Sequence, residues 1–147
     1  MITEQSRRTQ NNVGLIIGIV GFVVICFGIR KTYLSKPSAD KVLTEAARDV
    51  NKQCPMMVDD ITRLDSATRI SGNSFLYSYT ITSLEARQID TAKAKKVLMP
   101  NIISNIKTNP KMKIFRENKV TLIYNYKDKN GEYFFSVYAT PADYSGN

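Results

Sequence analysis

The sequence predicts an α+β protein, in which a single N-terminal transmembrane helix precedes a two-layer soluble domain. Three observations predict it. An uncharged apolar run lies near the start of the chain, two later segments repeat apolar residues at helical spacing, and several short segments alternate apolar with polar residues as strands do. The domain segments follow the order α-β-β-α-β-β. Because most connecting loops are short, we expect a mostly antiparallel four-stranded sheet with both helices on one face.

The length of 147 residues allows one domain and an anchor. The pattern divides the chain into a polar tail (1–12), a transmembrane helix (13–34), a juxtamembrane linker (35–40) and a soluble α+β domain (41–144). A hydrophobic fraction of 43% and a charged fraction of 23% are typical of a globular chain.

The membrane helix is predicted from the uncharged run Val13 to Ile29. Its seventeen residues would extend about 25 Å, near the lower limit for crossing a bilayer. Extension to Leu34 is compatible with Arg30 and Lys31 if their charged ends reach the headgroups. A cleaved signal peptide is the alternative, but no small-residue cleavage site precedes the following polar stretch.

Glycines mark one face of this predicted helix. They are Gly14, Gly18, Gly21 and Gly28. Small residues at such spacing let two membrane helices approach closely, which predicts association with another membrane protein or with a second copy. The alternative is that glycine is simply frequent in membrane helices. In either case the bilayer itself is a predicted partner.

The formal net charge is +8, and about half of the excess lies in residues 1–36. Anionic headgroups attract such residues, so the charge does not predict a nucleic-acid partner. The basic flank that contains Arg30, Lys31, Lys36 and Lys41 favours a cytoplasmic domain by the positive-inside rule.

The soluble domain divides into six elements. A first helix, capped by Ser38 or Asp40, is followed by a polar strand, a turn at residues 71–73 and a clear strand. A second helix is expected to break or kink at Pro100. A final hairpin turns at Asn130-Gly131. The predicted helices are Ala39–Gln53 and Asp90–Ile106, and the predicted strands are Met57–Ile70, Phe75–Thr82, Val120–Tyr126 and Tyr133–Thr140.

No catalytic, cofactor or metal constellation is recognisable. Histidine is absent, which removes the commonest general base and metal ligand. Cys26 lies in the apolar run and Cys54 in the domain, and neither has a histidine to activate it. The nearby aspartates lack the glycine and the spacing of a calcium loop. We therefore predict a non-enzyme without a cofactor or metal.

The segment from residue 59 to 69 is the candidate partner-binding site. Its charged residues are Asp59, Arg63, Asp65 and Arg69, which could form a network or a binding edge. The alternative is turn hydrogen bonds and surface ion pairs of little energetic value. The pairs Tyr77/Tyr79 and Tyr124/Tyr126 are expected to pack across adjacent strands in the core.

The chain resembles a group of small bacterial exported or membrane-anchored proteins with the signature NKxxPxxVDxxTRLD. The matching residues here are Asn51-Lys52, Pro55, Val58-Asp59 and Thr62-Arg63-Leu64-Asp65. The resemblance implies a cell-envelope location with the domain outside the cytoplasm, and it implies no reaction. Lys107 and Tyr144 stand where many relatives carry a cysteine pair.

These observations lead to one principal hypothesis and two alternatives. The principal hypothesis is a single-pass, non-enzymatic accessory protein of the inner (cytoplasmic) membrane. Its periplasmic domain would bind another protein through an edge strand or through the segment from Asp59 to Arg69. One alternative is a small envelope enzyme that uses carboxylates, with glycans as a candidate substrate. The other is a cytoplasmic domain held at anionic lipid by the basic juxtamembrane residues.

Overall fold

The computed structural model describes residues 38–146, which form an α+β domain. Four helices cover or flank one sheet, and short 3-10 turns occur at Ala86–Gln88 and Pro110–Met112. The helices are α1 (Ala39–Asn51), α2 (Thr91–Thr108), α3 (Lys113–Glu117) and α4 (Pro141–Ser145). The strands are β1 (Met56–Met57), β2 (Thr62–Ile70), β3 (Ser74–Ile81), β4 (Thr121–Lys127) and β5 (Tyr133–Ala139).

The first helix forms where the sequence predicts it. Ser38 caps α1 by accepting a hydrogen bond from the Lys41 amide. The buried residues Leu43, Ala47 and Val50 recur at helical spacing and place one face of α1 against β2. The helix ends at Asn51, two residues earlier than predicted.

The sheet has five strands in the order β1-β2-β3-β4-β5, one more than predicted. The predicted strand Met57–Ile70 is divided, because the chain turns at residues 58–61 before β2 begins. Three of the four strand pairs are antiparallel, but the central pair, β3 and β4, is parallel. A helical crossover through α2 returns the chain to the same end of the sheet, which is the connection that a parallel pair requires.

The second helix runs without a break from Thr91 to Thr108, so of the two predicted effects of Pro100 the break does not occur. Proline removes one helical N–H and leaves the carbonyl of Lys96 without that donor. Both residues lie on the exposed side of α2, where water can bind the carbonyl. The buried residues of α2 are Ala94, Leu98, Ile102 and Ile106.

Both predicted hairpin turns are confirmed. Gly72 and Asn73 adopt φ values of 75° and 57°, and Gly131 adopts 82°, which are conformations that glycine and asparagine tolerate best. The Asn73 amide also donates to the carbonyls of Asn118 and Lys119, just before β4. The short helices α3 and α4 were not predicted.

The predicted membrane helix and its glycine face (Gly14, Gly18, Gly21 and Gly28) lie outside the described residues, and they stay predictions. Between residues 38 and 146, no helix has the length and apolar character needed to cross a bilayer.

Candidate functional site

The helical layer leaves a gap over the centre of the sheet. The α1 helix packs against β2 and α2 packs against β5, so the two central strands lie between them. Four tyrosines from these strands face this gap, namely Tyr77 and Tyr79 on β3 and Tyr124 and Tyr126 on β4. Their side chains take the place of a covering helix.

The four rings form a ladder that follows from the parallel register of the strands. Tyr77 lies opposite Tyr124, and Tyr79 lies opposite Tyr126. The ring centroids of these pairs are 5.5 Å and 5.2 Å apart in stacked arrangements. The ladder continues onto β5, where Phe135 stacks on Tyr126 at 4.8 Å. The predicted cross-strand packing of the tyrosine pairs is therefore confirmed.

A small cavity, which we call the tyrosine pocket, opens above this ladder. Its volume is about 30 Å³, which is room for about two water molecules. Apolar side chains and a few polar ones surround it. The lining consists of Val58, Asp59, Thr62, Tyr77, Tyr79, Ile102, Asn105, Met112, Tyr124 and Tyr126.

The tyrosine hydroxyls in this pocket lack protein partners. The four tyrosines are between 2% and 8% exposed. None of their hydroxyls makes a hydrogen bond to any residue in the described part of the chain. Tyr144, buried elsewhere in the same core, instead donates to the Val120 carbonyl at 2.7 Å. Among the described residues, the fully buried side-chain nitrogen or oxygen without a partner is Arg69 Nε. The four tyrosine hydroxyls therefore remain within reach of water, and the pocket offers them as hydrogen-bonding groups to water or to a ligand.

Burial also fixes the protonation state of these tyrosines. It raises the pKa of Tyr77 and of Tyr126 well above the ordinary value, and Asp59 contributes further to the shift of Tyr126. The pKa values of Tyr79 and Tyr124 rise for the same reason, with a smaller contribution from the neighbouring tyrosines. All four hydroxyls are therefore neutral donors at physiological pH.

Alkaline titration tests this arrangement. A phenol whose pKa is raised by folding stabilises the native state below its unfolded pKa near 10, and that stabilisation is lost as the pH rises further. We expect the pocket tyrosines to ionise only as the domain unfolds. Tyrosinate absorbance and far-ultraviolet circular dichroism, recorded on the same sample, should change together. Ionisation of all tyrosines near pH 10 with unchanged secondary structure would contradict the buried arrangement.

The predicted charged site does not form one network. Asp59 accepts hydrogen bonds from the amides of Ile61 and Thr62, both at 2.8 Å, and so shapes the turn before β2. Arg63 pairs with Asp65 at 2.6 Å on β2. Their partner-binding role stays a prediction.

Asp65 and Arg69 also contact residues outside the segment from 59 to 69. Asp65 is the extra residue of a bulge between Leu64 and Ser66, and it also accepts from the Thr80 hydroxyl at 2.6 Å. Arg69 reaches Asp40 at the start of α1, at 2.6 Å. Of the four residues, Asp59 alone lines the tyrosine pocket.

One residue of the signature has a structural role that sequence reasoning missed. The Asn51 side chain donates to the Ala67 carbonyl and accepts from the Ala67 amide, both at 2.7 Å. These are the backbone bonds that a neighbouring strand would make, and β1 is too short to reach this part of β2. Asn51 thus completes the edge of the sheet.

Cys54 is a free, half-buried thiol. Burial raises its pKa, and the negative charge of Asp65 adds to the effect. A raised pKa lowers the thiolate fraction, which makes Cys54 a poor nucleophile. Among residues 38–146, no three ligand-type side chains come together to hold a metal ion.

Three solved structures share this fold at 10–11% sequence identity. A protein of Pseudomonas aeruginosa described as a candidate secreted protein has a TM-score of 0.61, with 77% of this chain and 98% of that chain covered. The type II secretion system pilotin AspS of Vibrio cholerae has a TM-score of 0.54, with coverages of 71% and 91%. The type 2 secretion pilotin EpsS of Vibrio vulnificus has a TM-score of 0.58, with coverages of 74% and 94%.

At the sequence level, residues 37–135 match the family model of the domain of unknown function DUF8479. Among curated proteins, none has a significantly similar sequence. The matched residues extend from the start of α1 into β5 and include the whole lining of the tyrosine pocket.

Proposed function

Because the chain belongs to the DUF8479 family, a domain of unknown function, we propose its function from the geometry. The protein is a membrane-tethered, non-enzymatic accessory protein of the bacterial cell envelope. Its domain holds a segment of a protein partner in the tyrosine pocket.

The observation that carries this proposal is the set of four largely buried tyrosines that line one cavity and whose hydroxyls have no protein partner among the described residues. A core that needed only apolar packing would be served equally by phenylalanine, as at Phe75 and Phe135. The four tyrosines instead line a cavity at the centre of the sheet, where their hydroxyls supply hydrogen-bonding groups that phenylalanine lacks. A ligand that satisfies them would bind with directional specificity.

The pocket lining indicates the chemistry of the partner segment. Four neutral phenols donate most readily to carbonyl oxygens, and a peptide backbone carries these at regular intervals. The apolar wall of Val58, Ile102 and Met112 suits one short aliphatic side chain of the same segment, since the cavity has room for about two water molecules. The segment would enter by displacing the water that the present cavity can hold.

The structural comparisons support the location and the class of function. Two of the three similar structures are pilotins of type II secretion systems, and the third is described as a candidate secreted protein. A shared fold does not transfer a binding site. These names nevertheless favour an accessory protein of the envelope over an enzyme.

The finer parts of the proposal rest on the sequence. The apolar residues 13–34 would anchor the chain in the cytoplasmic membrane, with the domain on the extracytoplasmic side. The glycine face would bring this helix against another membrane helix. The carboxylate-enzyme alternative needs two opposed acids in a cleft, and the tyrosine pocket contains only Asp59.

Photo-cross-linking in cells tests the pocket. A photoreactive phenylalanine at Asn105, on the wall of the pocket, should give a discrete cross-linked product with a protein partner. The same substitution at Ser104 is the matched control, since this neighbouring residue of α2 is exposed and does not line the pocket. The product should disappear in a Tyr77→Phe/Tyr124→Phe double variant, which keeps both rings and removes two hydroxyls.

A second control distinguishes the loss of pocket hydroxyls from the effect of replacing any tyrosine by phenylalanine. Tyr133→Phe removes an exposed hydroxyl outside the pocket and should leave the product unchanged. Equal cross-linking from Asn105 and Ser104, or a product that survives loss of the Tyr77 and Tyr124 hydroxyls in a folded protein, would refute the pocket as the partner site.

Cysteine labelling tests which side of the membrane the domain occupies. Asn130→Cys, in a Cys26→Ser background, places a thiol in the exposed hairpin loop. A membrane-impermeant maleimide should label it in intact cells whose outer membrane, where present, has been permeabilised. Labelling only after lysis would place the domain in the cytoplasm and favour the lipid-held alternative. The parent without Asn130→Cys controls for labelling of the half-buried Cys54.

A further inference from the structure

A second surface of the domain, which contributes no residue to the lining of the tyrosine pocket, is the outer edge of β5. This strand pairs with β4 on one side, and within residues 38–146 no strand pairs with its other side. Its sequence, YFFSVYA, contains no charge and no proline. Natural proteins commonly protect a free edge with lysine, proline or a very short strand. The opposite edge, β1, is only two residues long, whereas β5 has seven residues and no such protection.

The hydrogen-bond pattern between β4 and β5 predicts which backbone groups of β5 have no partner strand. The Asp128 amide bonds the Glu132 carbonyl at the hairpin end. In an antiparallel pair, hydrogen-bonded residues alternate with residues that are not hydrogen-bonded to the neighbouring strand. Counting from the hairpin and allowing for the bulge opposite Tyr126, Val137 and Ala139 are the residues of β5 that bond to β4. The N–H and C=O groups of Ser136 and Tyr138 point away from the sheet.

The surroundings of this edge are basic on the helical side. The α2 helix, which packs over β5, contains Lys93, Lys95, Lys96 and Lys107 and no acidic residue. The Lys95 ammonium lies 6.0 Å from the centroid of the Phe135 ring, directly beside the strand. On the other face of the sheet, Tyr133 and Tyr138 are 63% and 55% exposed and offer apolar contact. Along the chain, Glu132 precedes β5, Asp143 follows it in α4, and Asp90 caps the start of α2.

We propose that β5 accepts an extended segment of a protein partner as a sixth strand, and that this segment alternates acidic with apolar side chains. The acidic side chains would face the lysines of α2, and the apolar ones would face Tyr133 and Tyr138. Strand addition of this kind takes its affinity from main-chain hydrogen bonds and its specificity from alternate side chains. A second copy of this chain is a poorer occupant, because edge-to-edge pairing would bring two lysine-rich α2 helices together and supply no acid.

Hydrogen exchange on the full chain in a neutral detergent tests the proposal. The probe is a blocked heptapeptide of alternating valine and glutamate, and the matched probe is the same peptide with lysine in place of glutamate. We expect the glutamate peptide to slow exchange at the amides of Ser136 and Tyr138. It should bind about tenfold more tightly than the lysine peptide, and the difference should shrink at high salt.

Two variants at one position separate the backbone from the side chain. Ser136→Pro removes an outward N–H that the added strand needs, and it should abolish binding. The domain should still fold, because edge strands tolerate proline where the N–H faces outward. Ser136→Ala keeps the N–H and loses only the hydroxyl, which bonds Asn125 and contacts the Tyr133 hydroxyl. It should bind the glutamate peptide as the parent does, because Tyr133 contributes apolar contact.

Three outcomes would overturn the proposal. The first is equal binding of the two peptides, and the second is unchanged exchange throughout β5. The third is protection of these amides without peptide, together with a mass that doubles as concentration rises, which would make a second copy the occupant. None of them bears on the tyrosine pocket, because β5 residues do not line it.

Discussion

Replacing Phe75 by alanine is expected to lower the free energy of unfolding by about 3–5 kcal/mol, a large share of the stability of a domain of this size. Phe75 is fully buried in the middle of the core. Its ring packs edge-on against Tyr77 and against Phe115 of α3, with both centroids 5.0 Å away. The loss combines the lost burial of the ring with the cavity that remains. Urea denaturation of the full chain, followed by the near-ultraviolet dichroism of the tyrosines, measures it.

The control for Phe75→Ala is Leu76→Ala, one residue further along β3. Leu76 faces the opposite, uncovered side of the sheet and is half-buried, so its truncation should cost only about 1 kcal/mol. Equal losses for the two variants would mean that both faces of β3 are covered in solution, contrary to the two-layer arrangement.

Replacing Asn51 by alanine is expected to destabilise the domain by about 1–3 kcal/mol. The substitution leaves the amide and the carbonyl of Ala67 without their side-chain partners, and Ala67 itself is 1% exposed. The effect should be local as well as global. Amide exchange at Ala67 should therefore accelerate more than exchange elsewhere in β2.

Lys52→Ala serves as the control for Asn51→Ala. Lys52 pairs with Asp49 on the surface of the same helix end, with 63% of its side chain exposed. Exposed pairs of this kind contribute about 0–1 kcal/mol. Unchanged exchange at Ala67 in Asn51→Ala would show that water replaces the side-chain amide, and that the edge of β2 does not depend on it.

The elements of the domain could be predicted from the sequence because each carries a local signal. Alternation marked Phe75 to Ile81 as a strand, and glycine in the turns marked both hairpins. The parallel pairing of β3 with β4 carries no such signal. It depends on where the chain returns after α2, which is a long-range property. The strand β1 was also missed, since two residues are too few for a period to show.

The candidate site was less predictable than the fold. Charged residues drew attention to the segment from Asp59 to Arg69, and the structure disperses them into separate local pairs. The tyrosines were correctly expected in the core, but the unused hydroxyls could not be seen from the sequence. A signal was nevertheless present. Two adjacent strands each place two tyrosines on the covered face, which is an unusual density of hydroxyls for a dry core.

The parallel centre of the sheet also determines how the domain could be divided. On one side of it, α1 packs on the hairpin of β2 and β3; on the other, α2 packs on the hairpin of β4 and β5. A cut in the crossover after β3 would leave two fragments, each with its own hairpin and covering helix. They would rejoin along the strand pair of β3 with β4 and through contacts such as that of Phe75 with Phe115. The tyrosine ladder lies across the pair of β3 and β4, so the pocket would form only when the two fragments reassemble. Its formation would therefore indicate that the two polypeptides have associated.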